Sequence, residues 1–462
     1  MEQTTAKKNK YEIDMCNGTI MDKLISFSLP LMLSGILQLM FNAVDIIVVG
    51  RFSGSQALAA VGSTSALINV FTNLFIGISL GANVLTARFY AAGREKEVSE
   101  TVHTAITLAL VSGIIMALVG LVFSKGALAL MGTPDDVIGL SALYMRIYFL
   151  GMPFFMLYNY GAAILRAVGD TKRPLLFLMI AGVINACLNM VLVIVFKLGV
   201  AGVAIATVIS QMISCVLVLR CLCRSESSYR LRVSELGMKG YYLKQIFSVG
   251  VPAGIQSTVI NFSNVLLQSS VNSFGSTAMA GYTAANNLLG FLYVSVNSIT
   301  QACMSFTSQN YGVGKLKRMD RVLADCMILS VVVAVVLGCI CYGFGPEILQ
   351  IYTEDAEVIA CGMEILAYTT ITYFLCGWMD LFPGALRGMG YSAVPMVLSV
   401  IGTVGTRVVW IFGIFPYHRS LAILFISYPA SWIITIVLQV ICFYFVRRRV
   451  HRRSQALAGQ EA

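Results

Sequence analysis

Residues 28–54 read SLPLMLSGILQLMFNAVDIIVVGRFSG. Between Lys23 and Arg51 the chain carries one charged side chain, Asp45. Such a run exceeds the roughly 20 apolar residues that cross a bilayer. No water satisfies backbone N–H and C=O groups there, so the run must be helical. Comparable runs follow, giving spans at about 24–50, 57–86, 102–124, 137–162, 173–196, 200–222, 245–273, 278–307, 321–343, 358–385, 392–414 and 421–446. They predict an all-α integral membrane protein with twelve transmembrane helices. Composition agrees: 58% of the 462 residues are hydrophobic and 12% charged, with mean hydropathy +0.81. A soluble domain is about a quarter charged. The first run is too long for a signal-peptide core and lacks a small-residue cleavage site, so it is expected to stay in the mature chain.

The net charge of +10 could suggest nucleic acid, but the placement of the charges argues for a membrane instead. With both termini inside, all but six of the 32 Lys and Arg fall on the cytoplasmic side; the exceptions are Arg51, Lys125, Arg146, Lys197, Arg407 and Arg419. The segment holding Glu347, Glu354, Asp355 and Glu357 has no basic residue and falls outside. This positive-inside pattern supports the count and predicts a multi-pass protein of the cell (inner) membrane with cytoplasmic ends. No nucleic-acid partner is expected. The partners implied are the lipid bilayer and small amphipathic or cationic molecules, and a monomer is expected. Eight of the twelve cysteines lie inside apolar runs, where Cys acts as a small hydrophobe, and neither a disulfide framework nor a metal site is read.

The sequence repeats itself. Gly54, Ser55, Ala57 and Ala59 recur as Gly275, Ser276, Ala278 and Ala280, and Tyr90 and Gly93 as Tyr311 and Gly314, all 221 positions apart. Leu165, Arg166, Gly169 and Pro174 recur at the same offset as Leu386, Arg387, Gly390 and Pro395. The reading is therefore a cytoplasmic tail (1–23), an N-terminal six-helix lobe (24–223), a cytoplasmic linker (224–242), a C-terminal six-helix lobe (243–446) and a basic cytoplasmic tail (447–462). Six spans per half make the repeats parallel, an architecture that places substrate between the halves and works by rocking.

Asp45 is the most informative residue. An acid inside a membrane helix is costly and usually faces a cavity or a relay. Gln38, Asn42 and Asp45, spaced four and three apart, share a helix face. Asn185 and Asn189, one turn apart in the fifth span, can orient a carboxylate or bind a cation through their carbonyls, or simply hold helices together. A buried structural hydrogen-bonding acid, or one that snorkels outward to water, is the alternative for Asp45; in the functional reading Asp45, Asn185 and Asn189 are the expected ion-coupling group. Substrate-binding candidates are Gln38, Asn42, Asn73, Tyr148, Met152 and Tyr158, since Met and aromatic surfaces suit lipophilic cations. Asn261, Asn264 and Gln268, spaced three and four apart in the seventh span, join them. A plain packing role is the alternative for the Met and aromatic positions. Asp380 is expected near the cytoplasmic end, paired with a nearby Arg. The sequence has no G-x-x-x-x-G-K-[ST], H-E-x-x-H or G-x-S-x-G, so neither ATP drive nor an enzyme is read.

Residues 28–54 together with ARFYAAGREKE, ILRAVGDTKRP, SQNYGVGKLKR and GALRGMGYSAVP resemble the multidrug and toxic compound extrusion (MATE) family across about residues 20–446. The resemblance implies a V-shaped pair of six-helix lobes and drug–cation antiport, with proton or sodium entering as drug leaves. No other cofactor is implied. It places the family's first-helix acid on Asp45 and its fifth-helix polar positions on Asn185 and Asn189. Some branches carry a glutamate in the seventh helix and an acid in the tenth. Here those positions hold Ile260 and Cys376, so their sodium site in the C-terminal lobe is not expected. The rival reading is a flippase for lipid-linked or polysaccharide precursors of the same superfamily. It would require a strongly cationic cavity.

Overall fold

A computed structural model describes residues 10–458. The helices are α1 (Met21–Phe52), α2 (Ser55–Ala91), α3 (Glu95–Leu130), α4 (Asp135–Leu150), α5 (Met152–Ala167), α6 (Lys172–Asn189), α7 (Gly199–Cys223) and α8 (Gly240–Asn272). There follow α9 (Ser276–Gly312), α10 (Leu316–Gly343), α11 (Gly345–Gln350), α12 (Ala356–Thr369), α13 (Tyr373–Gly388), α14 (Ala393–Ser399), α15 (Thr406–Val409) and α16 (Leu421–Ala458). No strand occurs among the described residues. The twelve expected spans each find a helix or a broken helix. Eight helices among the described residues are by themselves long and apolar enough to cross a membrane, and two bent pairs bring the number to ten. The seventh and eighth spans, α8 and α9, complete the twelve. Their polar side chains, such as Asn264, Gln268, Asn286 and Asn297, dilute the apolar signal.

Two spans expected to be continuous are broken. The fourth bends by 47° between α4 and α5, and the tenth by 51° between α12 and α13. At the first break Pro153 follows Gly151 and Met152. Its ring displaces the carbonyl four residues back, and it donates no hydrogen bond. The second break has no proline. There the hydroxyls of Thr369, Thr370 and Thr372 donate to the carbonyls of Ile365, Leu366 and Tyr368 at 2.7, 2.6 and 2.8 Å. Such back-bonding bends helices. Gly151 and Thr372 are 221 positions apart, so one bend recurs in both halves by different chemistry.

Backbone geometry repeats at the same distance. Gly54 and Gly275 have φ of 87° and 102°, Gly93 and Gly314 68° and 72°, and Gly169 and Gly390 95° and 90°. Only glycine adopts this region without cost. Wide-turned π segments continue α6 (Met190–Val195) and α14 (Val400–Gly405), and a third closes α15 (Trp410–Ile414). The basic C-terminal segment continues the last helix. The chain stays helical through Arg447–Arg449 to Ala458, and Arg447 donates to Asp320 at 2.6 Å.

By contact density the chain forms two units. One takes residues up to Ile13 and Leu33–Val251; the other takes Asp14–Met32 and the chain from Pro252. The division falls within α1 and α8, beside Pro30 and Pro252, rather than in the segment 224–242. In the first unit Glu12 accepts hydrogen bonds from the hydroxyls of Tyr90 and Tyr229, both at 2.7 Å. In the second, Asn310 donates to the Met15 carbonyl at 3.1 Å and Arg318 to that of Gly18 at 2.8 Å. Residues 1–9 and 459–462, at the ends of the two expected tails, lie outside the described residues. The first unit packs α2 against the start of α8 backbone to backbone. A Cβ on Gly81 would lie 2.2 Å from the Ile246 carbonyl oxygen, and one on Gly250 would lie 2.5 Å from the Ile78 Cα. Small residues allow this close approach in a bilayer.

Candidate functional site

The three residues expected to couple ions meet in the first unit. Asp45 is half-buried in the C-terminal half of α1. The side-chain amide of Asn189, fully buried at the end of α6, donates to Asp45 Oδ1 and lies 3.1 Å from Asn185 Oδ1, to which it also donates. The first of these bonds fixes the amide's orientation, because its oxygen facing the carboxylate would set two acceptors against each other. Asn189 Oδ1 is thereby left buried without a partner. A buried acceptor in that condition is costly and calls for an explanation.

Sequence reasoning missed the fourth member. Thr207 on α7 places its hydroxyl 3.5 Å from Asp45 Oδ2, while its firm bond runs to the Val203 carbonyl at 3.0 Å. A threonine bonding its own helix is commonplace in membrane spans, so it carried no signal. Gln211, one turn further on, did carry one, as an amide inside a span, and its side-chain oxygen is buried without a partner. Tyr144 and Tyr148, stacked with ring centres 6.2 Å apart, lie within electrostatic reach of Asp45.

The remaining candidates scatter. Met152 is fully buried at the α4–α5 break, in the core of the unit. Tyr158 donates to the Pro174 carbonyl at 3.2 Å. Asn73 is half-buried, and Gln38 and Asn42 are exposed. In the second unit Asn261 and Gln268 are exposed on α8, whereas Asn264 accepts a bond from Arg407 at 2.7 Å. Asp380 is half-buried with Arg387 as its electrostatic partner, and Arg387 donates to Gln256 at 2.6 Å. No cluster of three or more metal-ligating side chains occurs among the described residues.

The fold and this cluster can be compared with known proteins. A family model, MatE, matches residues 30–191 and again 252–412. The chain belongs to the MatE family. The two matches follow the internal repeat, one in each half. Among relatives of this MATE chain, the "Probable multidrug resistance protein YoeA" of Bacillus subtilis is 31% identical over 434 residues, covering 92% of this chain and 93% of that protein. The "Multidrug export protein MepA" of Staphylococcus aureus is 22% identical, covering 82% and 84%. Among solved structures, the outward-facing conformation of a multidrug resistance MATE family transporter of the MOP superfamily superposes with a TM-score of 0.87 at 19% identity, over 97% of this chain and all of that one. That likeness carries the fold: this MATE chain is a multi-pass, all-helical membrane protein of two six-helix halves.

Proposed function

We propose that this MATE chain exports small lipophilic or cationic compounds in exchange for an inward-moving proton or sodium ion, with Asp45 as the coupling group. One observation carries the reading. A carboxylate inside a membrane helix is held by Asn189, and the oxygen of that same amide is buried without a partner. Carboxylate and amide oxygens are the ligands hard cations take. A proton on Asp45 would let the Asn189 amide turn and accept from it through that oxygen. Either ion alters the same hydrogen-bonded group, and α1, α6 and α7 all supply its members. A shift of these helices therefore changes the affinity for the ion, and a ligand moves a conformational equilibrium only through such a difference. The names of YoeA and MepA support multidrug compounds as cargo.

The test is efflux of a quaternary ammonium dye from cells expressing the chain, and from proteoliposomes under separately imposed pH and sodium gradients. Faster efflux under one gradient is expected. No change with any dye of a broad panel under either gradient would sink the reading and favour the flippase.

Both termini are proposed to be cytoplasmic, on the basic-residue bias. Cysteines placed at positions 5 and 455 should react with an impermeant maleimide only after the cells are opened. Labelling of either end in intact cells would overturn the orientation.

A further inference from the structure

The second unit buries a guanidinium with no carboxylate against it. Arg407 on α15 is 3% exposed. Its Nη1 spends both hydrogens on α8, donating to Ser263 Oγ at 3.1 Å and to Asn264 Oδ1 at 2.7 Å. One face rests on the Tyr428 ring, 4.7 Å from its centre. The Tyr428 hydroxyl lies 3.0 Å from that of Tyr282, and its ring is 5.8 Å from Trp432. Nε is buried without a partner, and no ion pair forms at Arg407 among the described residues. The acid nearest in sequence, Asp380, has Arg387 as its electrostatic partner instead.

An arginine stays charged at any physiological pH. Burying one unpaired is among the most expensive arrangements a protein can hold, and inside a membrane such a residue marks a functional site by default. The bonds present make Arg407 rigid without neutralising it. Ser263 and Asn264 fix the Nη1 corner, which leaves the Nε–Nη2 edge. That edge presents two parallel N–H groups, the fork that matches a carboxylate in bidentate fashion. Aromatic rings beside it suit a flat apolar body.

We propose that Arg407 is the anchor of an anion site in the second unit, taking the carboxylate of a small aromatic amphipath. The site rests on the export reading for its purpose but not for its chemistry. It makes the cargo range include acids and zwitterions as well as cations. Asn264 then acts as a positioning residue, holding the guanidinium.

Binding to the purified full chain in phosphatidylcholine nanodiscs, measured by calorimetry, tests this. The probes are naphthalene-2-carboxylate, the uncharged naphthalene-2-carboxamide and chloride. The carboxylate should bind at least tenfold more tightly than the carboxamide and survive excess chloride. Arg407→Gln should remove that preference and Arg407→Lys should weaken it, while a quaternary ammonium probe still binds both variants. Equal binding of carboxylate and carboxamide to the unaltered chain overturns the proposal, as does undiminished carboxylate binding by Arg407→Gln. Displacement by chloride alone would reassign the site to inorganic anions and likewise overturn it. Should Arg407→Gln fail to fold, the probe comparison and Arg407→Lys decide. A chain that binds the carboxylate yet moves no compound across a membrane leaves this site standing and sinks the export reading.

Discussion

Asp45→Asn is expected to abolish transport driven by an ion gradient while the protein still folds. The amide has nearly the shape of the carboxylate and can keep one bond to Asn189, whose side chain then turns its oxygen toward the new N–H. What it loses is the charge and the exchangeable proton. The two half-reactions of an exchanger then no longer differ in ion affinity, and coupling vanishes, because a conformational equilibrium shifts only by differential binding. Uphill accumulation in proteoliposomes should fall at least tenfold, while downhill leakage and substrate binding are partly kept. Asn189→Leu should approach the same result, since it removes both the donor to Asp45 and the unpartnered oxygen. Asp380→Asn should be much milder, because Asp380 interacts with Arg387 and not with the Asp45 group. If Asp45→Asn still concentrates substrate, or Asp380→Asn is the more damaging change, Asp45 is not the coupling group.

The second large effect concerns folding. Gly81→Leu should leave almost no monodisperse protein. Its Cβ would lie 2.2 Å from the Ile246 carbonyl oxygen, and backbone cannot rotate away as a side chain can. Ordinary overpacking costs about 1–3 kcal/mol. Here α8 would have to move bodily and surrender the reciprocal contact at Gly250, so the cost should exceed that range. Gly62→Leu on the same helix is the matched control, because a Cβ there meets nothing within 4 Å. Size-exclusion profiles of the two variants in detergent give the answer. A normal profile for Gly81→Leu, or equal loss from both, would mean that the α2–α8 crossing is not so tight.

Hydrophobicity and charge made the helix count legible, because a bilayer forbids most alternatives. The repeat was legible too: the glycines that recur at a fixed spacing are those that adopt positive φ. Asp45, Asn185 and Asn189 could be grouped before any coordinates because the family resemblance puts its first-helix acid and fifth-helix polar positions on them, whereas Gln38, Asn42, Asn261 and Gln268, equally polar, lie exposed. The breaks were less visible. Pro153 was available as a signal, but Thr369, Thr370 and Thr372 bend a helix through bonds that no periodicity reveals. The division of α1 at Met32 and of α8 at Val251 was hidden for a similar reason, because each helix is continuous in sequence while its packing partners change along its length.

The π segments carry a further consequence. The start of Met190–Val195, shifted by the repeat distance of 221, falls within one residue of the start of Trp410–Ile414. Wide turns of this kind are rare, and they gather at functional sites. The shape thus stands at matched places in both halves, whereas Val400–Gly405 has no counterpart 221 positions earlier. The side chains beside the two segments differ. Asn189, which grips an acid, precedes one, and the unpaired Arg407 precedes the other. One backbone contour therefore serves two chemistries, a held carboxylate in one half and an uncompensated guanidinium in the other.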